Sequence, residues 1–191
     1  MKLAHINTAL FVAIMVVVGY IVIAPIIPIV SFWFEAHTTP RMGQLRSQLH
    51  IPISQLHIPP TGDRLIIPVM MLDAPINEGR DLSALRTGTW RRPNTSTPDK
   101  GGNTVIVGHR FTYVDPKGIF YYLNKLQVGD EVGVFWHGTR YVYKVFDVQV
   151  VPPTTMNVEA PTSDARLTLY TCTPTWWPKN RLIVSAKLEQ Q

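Results

Sequence analysis

The stretch Thr168-Leu-Tyr-Thr-Cys172-Thr-Pro-Thr-Trp-Trp-Pro-Lys-Asn-Arg181-Leu-Ile-Val-Ser-Ala-Lys-Leu188 contains the single cysteine of this 191-residue chain. Read with the two-residue period of a β-strand, Leu167 and Leu169 share one face, so Cys172 lies on the opposite face, off the core. After a loop rich in proline and tryptophan, the alternation resumes at Arg181. We therefore predict two antiparallel strands whose adjoining ends bring the thiol of Cys172 and the guanidinium of Arg181 to one pocket.

A third polar residue follows an apolar run far upstream. The run Asn103-Thr-Val-Ile-Val-Gly108 ends at a glycine and is followed at once by His109. A thiol is a poor nucleophile near neutral pH because little of it is ionised, and a nearby imidazole can increase the ionised fraction or carry the proton. An arginine stays charged and can donate to a substrate carbonyl or oxyanion. His109, Cys172 and Arg181 are thus candidate catalytic residues for acyl transfer.

The amino-terminal part of the chain has the composition of a membrane anchor. No Asp, Glu, Lys or Arg occurs from Ile6 to Phe34, and about 20 apolar residues suffice to span a bilayer. We predict a spanning helix over residues 8 to 31, kept as an uncleaved anchor because no convincing cleavage site follows it. Pro25 and Pro28 interrupt the run and are expected to kink the helix or end its regular part early.

Composition divides the chain into three predicted segments. With 46% hydrophobic and 16% charged residues, it suits one membrane-attached globular domain. Residues 1–34 form the transmembrane anchor, 35–63 a proline-rich extracytoplasmic stalk, and 64–191 the catalytic domain. The stalk contains a tandem repeat, Ser47-Gln-Leu-His-Ile-Pro-Ile and Ser54-Gln-Leu-His-Ile-Pro-Pro. It is predicted to be a semi-extended spacer, and a sharper hypothesis makes it a lid over the active-site groove.

Beyond the stalk, the pattern is a succession of short strands separated by glycine and proline. Their predicted ranges are Leu65–Met71, Asn103–Val107, Glu131–Trp136, Arg140–Val151, Arg166–Thr171 and Leu182–Leu188. Only Asp81–Arg86 and Ile119–Leu126 are expected to hold short helical turns. Many short strands without long helices between them predict an all-β barrel or sandwich.

The charge balance limits the classes of partner. A net charge of +5 and a pI near 9.5 favour anionic lipids or wall polymers. Nucleic acid is not expected, because the basic residues are scattered and no nucleic-acid-binding motif occurs. No histidine has metal-ligand spacing with the cysteine, and the 13 Asp and Glu residues form no evident calcium set. We predict that the protein needs neither cofactor nor metal.

The motifs around these residues resemble those of the sortase family, the cysteine transpeptidases that attach surface proteins to Gram-positive cell envelopes. Thr168-Leu-Tyr-Thr-Cys172 is similar to the family's TLxTC strand, Arg181-Leu-Ile-Val to its arginine-led strand, and Asn103-Thr-Val-Ile-Val-Gly-His109-Arg to its strand ending in glycine-histidine. Weaker similarities extend the resemblance over residues 64 to 188.

The resemblance implies a closed sortase-type β-barrel and a reaction. Cys172 would attack an LPxTG-like sorting signal, form a thioacyl enzyme, and pass the acyl group to an amine of a peptidoglycan precursor or a pilin. His109 would act as general acid or base, and Arg181 would hold the substrate carbonyl or oxyanion. Thr171 would help to orient the substrate. Because the acceptor amines lie outside the membrane, we expect a single-pass protein of the cell membrane with an extracellular catalytic domain.

The loop between Cys172 and Arg181 is short and is most similar to that of class D and E sortases. Trp176 and Trp177 in this loop would either line the substrate cleft or pack against the barrel edge.

Two other classes of function stay open at this point. The first is a cysteine endopeptidase or hydrolase, since water competes with the amine for a thioacyl intermediate; an L,D-transpeptidase is disfavoured because its Ser-His-Gly-Cys strand is absent. The second is a membrane-anchored, non-catalytic β-barrel binding module in which Cys172 is structural.

Overall fold

Short strands with one apolar face close into a barrel in the computed structural model, which describes residues 2–38, 61–114, 118–175 and 178–190. The strands are β1 Arg64–Ile67, β2 Leu72–Asn77, β3 Thr89–Arg91, β4 Asn103–Val107, β5 Glu131–Trp136, β6 Thr139–Val151, β7 Arg166–Thr173 and β8 Asn180–Gln190. Around the barrel their order is β1-β2-β3-β4-β7-β8-β6-β5, and β5 pairs with β1 to complete the ring. The predicted closed β-barrel is confirmed.

Most neighbouring strands are antiparallel, but β4 and β7 run parallel, with Val107 opposite Tyr170. The parallel pairing decides where the chain leaves each of these two strands. The residues that follow β4 and the residues at the end of β7 leave the sheet at the same end of the barrel.

The core forms as the period-two pattern of the last two strands predicts. Leu167 and Leu169 of β7 and Val184 of β8 are fully buried inside the barrel. Burying one such side chain contributes about 1.5 to 3 kcal/mol, so the alternation holds β7 and β8 in one register. Cys172 consequently lies on the outer face of β7.

The outer face of β4 is also covered, which explains the uninterrupted apolar run in that strand. Trp90, Val105 and Val107 form a second cluster, against which Tyr170 packs from β7. Residues of the 3-10 helix Leu82–Arg86, Ala84 and Leu85, pack on the same cluster.

Two strands escaped prediction and one was predicted too long. The strand expected over Leu65–Met71 ends at Ile67, because Pro68 begins a 3-10 turn that runs to Met70. β2 contains Pro75 in its interior, and a proline in a sequence normally argues against a strand at that point. β3 is three residues long and pairs in parallel with β2 at only two positions.

The expected short helical turns are present at Leu82–Arg86 and Leu123–Lys125. Further 3-10 turns occur at Pro98–Lys100 and Met156–Glu159.

The amino-terminal apolar segment forms two helices in place of the single helix predicted over residues 8 to 31. α1 spans Lys2–Ile23 and α2 spans Ile27–Thr38. The break at residues 24 to 26 contains Pro25, which lacks the N–H needed to continue the helix. Within α1, His5–Ile23 is long and apolar enough to cross a bilayer, with a mean hydropathy of 2.5.

The predicted stalk lies mostly outside the described residues, as does the hypothesis that it acts as a lid. α2 continues four residues past the predicted end of the anchor at residue 34. The three-segment division stays a prediction.

Candidate active site

Cys172 lies near the carboxyl end of β7 on the outer face of the barrel, where its side chain is half-buried. The residues on either side of it are held by hydrogen bonds to the segment that follows β4. The side chain is therefore carried on a rigid strand, and part of it stays accessible. Such a position suits a nucleophile that must be reached by a substrate.

Arg181 stands directly opposite Cys172 in the antiparallel pairing of β7 with β8. Its Nη1 atom lies 3.4 Å from the Sγ atom of Cys172 and donates to it. The two side chains point to the same face because residues opposite each other in a pair share a side of the sheet. Arg181 thus supplies a permanent positive charge and several donors beside the sulfur.

His109 is brought to the same place by the parallel pairing of β4 with β7. The hydroxyl of Thr171 donates to the carbonyl oxygen of Gly108 at 2.8 Å, and Nη1 of Arg110 donates to the hydroxyl of Thr173 at 2.6 Å. The first hydrogen bond joins the residues directly before His109 and Cys172, and the second joins the residues directly after them. They place the two residues at one level on neighbouring segments, with the imidazole exposed.

Three side chains predicted from distant parts of the sequence therefore converge on one end of the barrel. A thiol, an imidazole and a guanidinium in this arrangement can divide the work of acyl transfer. The thiol attacks, the imidazole transfers protons, and the guanidinium donates to the oxyanion. The catalytic roles of these residues stay predictions.

The hydroxyl of Thr171, predicted to orient the substrate, is buried and bonded to Gly108. Its visible effect is to hold the backbone that carries His109, and its contact with the substrate stays a prediction. Trp176 and Trp177 lie outside the described residues, so their predicted substrate contact also stays a prediction. Among the described residues, no group of three or more His, Cys, Asp and Glu side chains could hold a metal ion.

A half-buried chain of polar side chains lies beside the site. The hydroxyl of Tyr170 donates to Oε1 of Glu159 at 2.5 Å, and Nε of Arg92 donates to the same oxygen at 2.9 Å. Burial, and after it the Glu159 carboxylate, raises the pKa of Tyr170 well above its usual range, so the phenol stays protonated as the donor. This chain ties the segment before β7 to the outer face on which Cys172 lies.

Arg110 is a residue of the site to which no role was assigned from the sequence. Its guanidinium spans two elements, donating to Thr173 at 2.6 Å and to Oδ1 of Asn124 at 3.1 Å. Burial lowers the pKa of Arg110, yet an arginine pKa is high enough that the group stays charged. The sequence signal was its place directly after His109, but only the fold shows that it links the histidine segment to the strand of the nucleophile.

Arg110→Lys is expected to slow acylation of Cys172 by about 10- to 100-fold, because small misplacements of reacting groups have effects of this size. A lysine keeps the charge but cannot bond both Thr173 and Asn124 in the fixed geometry of a guanidinium. The measurement is the single-turnover acylation rate beside the steady-state KM, which we expect to change little.

Thr173→Val and Asn124→Ala each remove one of the two contacts and are the matched controls. Each is expected to have a smaller effect than Arg110→Lys. Full activity of Arg110→Lys would show that the charge alone matters and that the two-sided bond does not position the site.

Comparison with known proteins agrees with this geometry. A model of the sortase domain matches residues 65–189. Sortase SrtE1 of Streptomyces coelicolor is 35% identical over 107 residues, which cover 51% of this chain and 30% of that protein. The match thus spans less than a third of the curated relative.

Solved structures of sortases share the barrel. A Streptococcus agalactiae sortase C1 structure is 28% identical with a TM-score of 0.62, covering 68% of this chain and 67% of that one. A Clostridium perfringens sortase D5 transpeptidase is 25% identical with a TM-score of 0.60, covering 78% of this chain and 96% of that one.

The family model covers well over half of the sequence, including the strands that carry the cysteine, the arginine and the histidine. This chain belongs to the sortase family.

Proposed function

We propose that this protein is a membrane-anchored cysteine transpeptidase that cleaves an LPxTG-like sorting signal and joins the released acyl group to an amine. The observation that carries the proposal is the 3.4 Å contact between Nη1 of Arg181 and Sγ of Cys172. It places a fixed cation next to the only thiol of the chain, at the point where a substrate carbonyl would develop negative charge.

In the first half-reaction His109 takes the thiol proton of Cys172, and the sulfur attacks the carbonyl carbon of the scissile peptide bond. The carbonyl oxygen becomes an oxyanion, which accepts hydrogen bonds from Arg181. As the C–N bond breaks, His109 gives a proton to the leaving amine, and the thioacyl enzyme remains. In the second half-reaction an acceptor amine attacks the thioester carbonyl, His109 takes its proton, and the thiolate of Cys172 leaves.

The acceptor amine is proposed to belong to a peptidoglycan precursor or a pilin. Among the solved relatives, one is described as a sortase C with pilin substrate specificity and another as a sortase D5 transpeptidase. These descriptions support the chemistry of transfer to an amine and leave the acceptor of this chain open to experiment. α1 supports anchoring, because His5–Ile23 has the length and hydropathy of a span, and we place the catalytic domain outside the cell.

The test is to incubate the full chain in detergent micelles with an LPxTG peptide library, with and without hydroxylamine or short peptide amines. We expect a covalent peptide adduct on Cys172 by mass spectrometry, and a shift of product from the free acid to the amide as amine concentration rises. An adduct that yields only the acid at every amine concentration would identify a cysteine peptidase. Absence of both adduct and turnover across the library would favour a non-catalytic binding module.

A further inference from the structure

The loop that follows the candidate catalytic histidine, residues 110–119, returns to the residue where it began. The N–H of Phe120 donates to the carbonyl oxygen of His109 at 2.9 Å. At the neck of this histidine loop, a Cβ added to Gly118 would lie 2.6 Å from the His109 carbonyl oxygen and 2.5 Å from the Arg110 carbonyl carbon. Only glycine allows so close an approach of backbone to backbone, so the base of the loop is fixed to His109.

The loop and the residues just after it are joined to the amino-terminal helices on both sides of their break. The hydroxyl of Tyr20, in α1, donates to the carbonyl oxygen of Tyr113 in the histidine loop. The hydroxyl of Tyr122, just after the loop, donates to the carbonyl oxygen of Pro28 in α2 at 3.0 Å. Between these contacts Ala24 is fully buried, in contrast to the exposed residues of α1 that precede it.

These contacts fix the position of the histidine loop along the axis of the candidate span. Tyr20 lies three residues before the end of the candidate span at Ile23, which is about 5 Å along a helix axis. Tyr113 is therefore close to the level at which the apolar helix ends, where the hydrocarbon core gives way to lipid headgroups.

The side chains near the end of the candidate span are of the types that are found at a lipid boundary. Val114 is 97% exposed and Tyr113 is 47% exposed, and the Tyr113 ring packs edge-on against Phe111 with 5.2 Å between centroids. Aromatic side chains with a polar end collect at the membrane interface. α2, whose Pro28 contacts Tyr122 just after the loop, adds further exposed apolar side chains: Ile27, Ile29, Val30, Trp33 and Phe34.

We propose that Tyr113 and Val114 of the histidine loop and the apolar surface of α2 are seated in the outer boundary of the lipid bilayer that α1 spans. The occupant of this surface is phospholipid, because the exposed apolar side chains continue directly from a helix that has the length and hydropathy of a bilayer span. The inference rests on the anchoring part of the proposed function. It adds that the segment carrying His109 is held at the lipid surface, so substrates held in the same membrane are presented to the site.

The test uses the full chain in phosphatidylcholine and phosphatidylglycerol nanodiscs, in a Cys172→Ala background that removes the native thiol. A single cysteine is introduced at Val114, at Thr139 or at Val16 and labelled with bimane. Quenching by lipids brominated in the acyl chain is then measured. Thr139 is the matched control, since it is nearly the same shape as valine and exposed. Thr139 is the first residue of β6 and pairs with Trp136 at the end of β5. Because β5 contacts the 3-10 turn that precedes β4, Thr139 lies at the end of the barrel away from His109.

We expect the label at Val114→Cys to be quenched several-fold more strongly than the label at Thr139→Cys, and the label at Val16→Cys most strongly. Equal quenching at positions 114 and 139, with strong quenching at position 16, would overturn the seating of the loop and leave the anchor intact. Absence of quenching at position 16 would overturn the anchoring itself and the inference with it. None of these outcomes depends on turnover, so failure of the proposed transpeptidase chemistry is scored separately, in the unlabelled wild-type chain.

Discussion

Cys172→Ala is expected to abolish the covalent peptide adduct and to lower turnover by at least about 10³-fold, the scale seen when a nucleophile is removed from a covalent mechanism. The chain has no second cysteine, so no other thiol can take over the attack. Because Cys172 is half-buried on the outer face of β7, its truncation leaves no cavity in the barrel core. The measurements are the adduct mass, the rate of amide formation and the thermal unfolding midpoint, which should change little.

Ser185→Ala is the matched control for this change. It removes a single side-chain heavy atom from the strand beside β7, opposite Thr168, at a buried position. We expect Ser185→Ala to retain turnover. That result would show that the loss of turnover in Cys172→Ala comes from the missing sulfur and not from a loss of packing. Turnover of Cys172→Ala at the wild-type level would place the nucleophile elsewhere in the chain and would remove the basis of the proposed mechanism.

Arg181→Lys is expected to lower the rate of peptide acylation by about 10²- to 10³-fold, because removal of one oxyanion donor typically has an effect of this size. A lysine keeps the charge and loses the planar array of donors. Alkylation of Cys172 by iodoacetamide should fall much less, since alkylation of a thiol forms no oxyanion. The ratio of the two rates therefore isolates the role of the guanidinium in stabilising the transition state.

Arg64→Lys serves as the control for Arg181→Lys. Arg64 also begins a strand, and its Nε donates to Asp73 at 2.5 Å, outside the site. Arg64→Lys should leave the rates of acylation and of alkylation unchanged. Equal losses of acylation and alkylation in Arg181→Lys would mean that the arginine acts on the thiol alone, and the oxyanion role would have to be given up.

The amino-terminal helices are in contact with the region that carries the candidate site. Tyr20 and Pro28 both contact the region that begins at His109, so removing the amino-terminal helices removes two supports of that region. Kinetic comparisons are therefore best made on the full chain in a lipid environment.

The period-two pattern of the last two strands was sufficient to place Cys172 and Arg181 off the core, at strand ends that meet if the strands are antiparallel; the observed register puts them directly opposite each other. The rule behind it is local: each residue in a strand points away from its neighbours, and burial of leucine and valine on one side sets the register. The same rule failed at β2 and β3. Pro75 breaks the pattern of the first, and the second is too short to show one.

What the sequence determined by itself was the set of candidate catalytic residues, the strands that carry Cys172 and Arg181, and the apolar amino-terminal segment, because these depend on residue type and on spacing along the chain. What only the tertiary structure decided was the parallel pairing of β4 with β7, which brings His109 level with Cys172. It also decided the bridge made by Arg110 and the contacts of Tyr113 with α1 and of Tyr122 with α2. These features join residues that are far apart in the chain, and their formation depends on the free energy of packing the whole barrel, which no local pattern records.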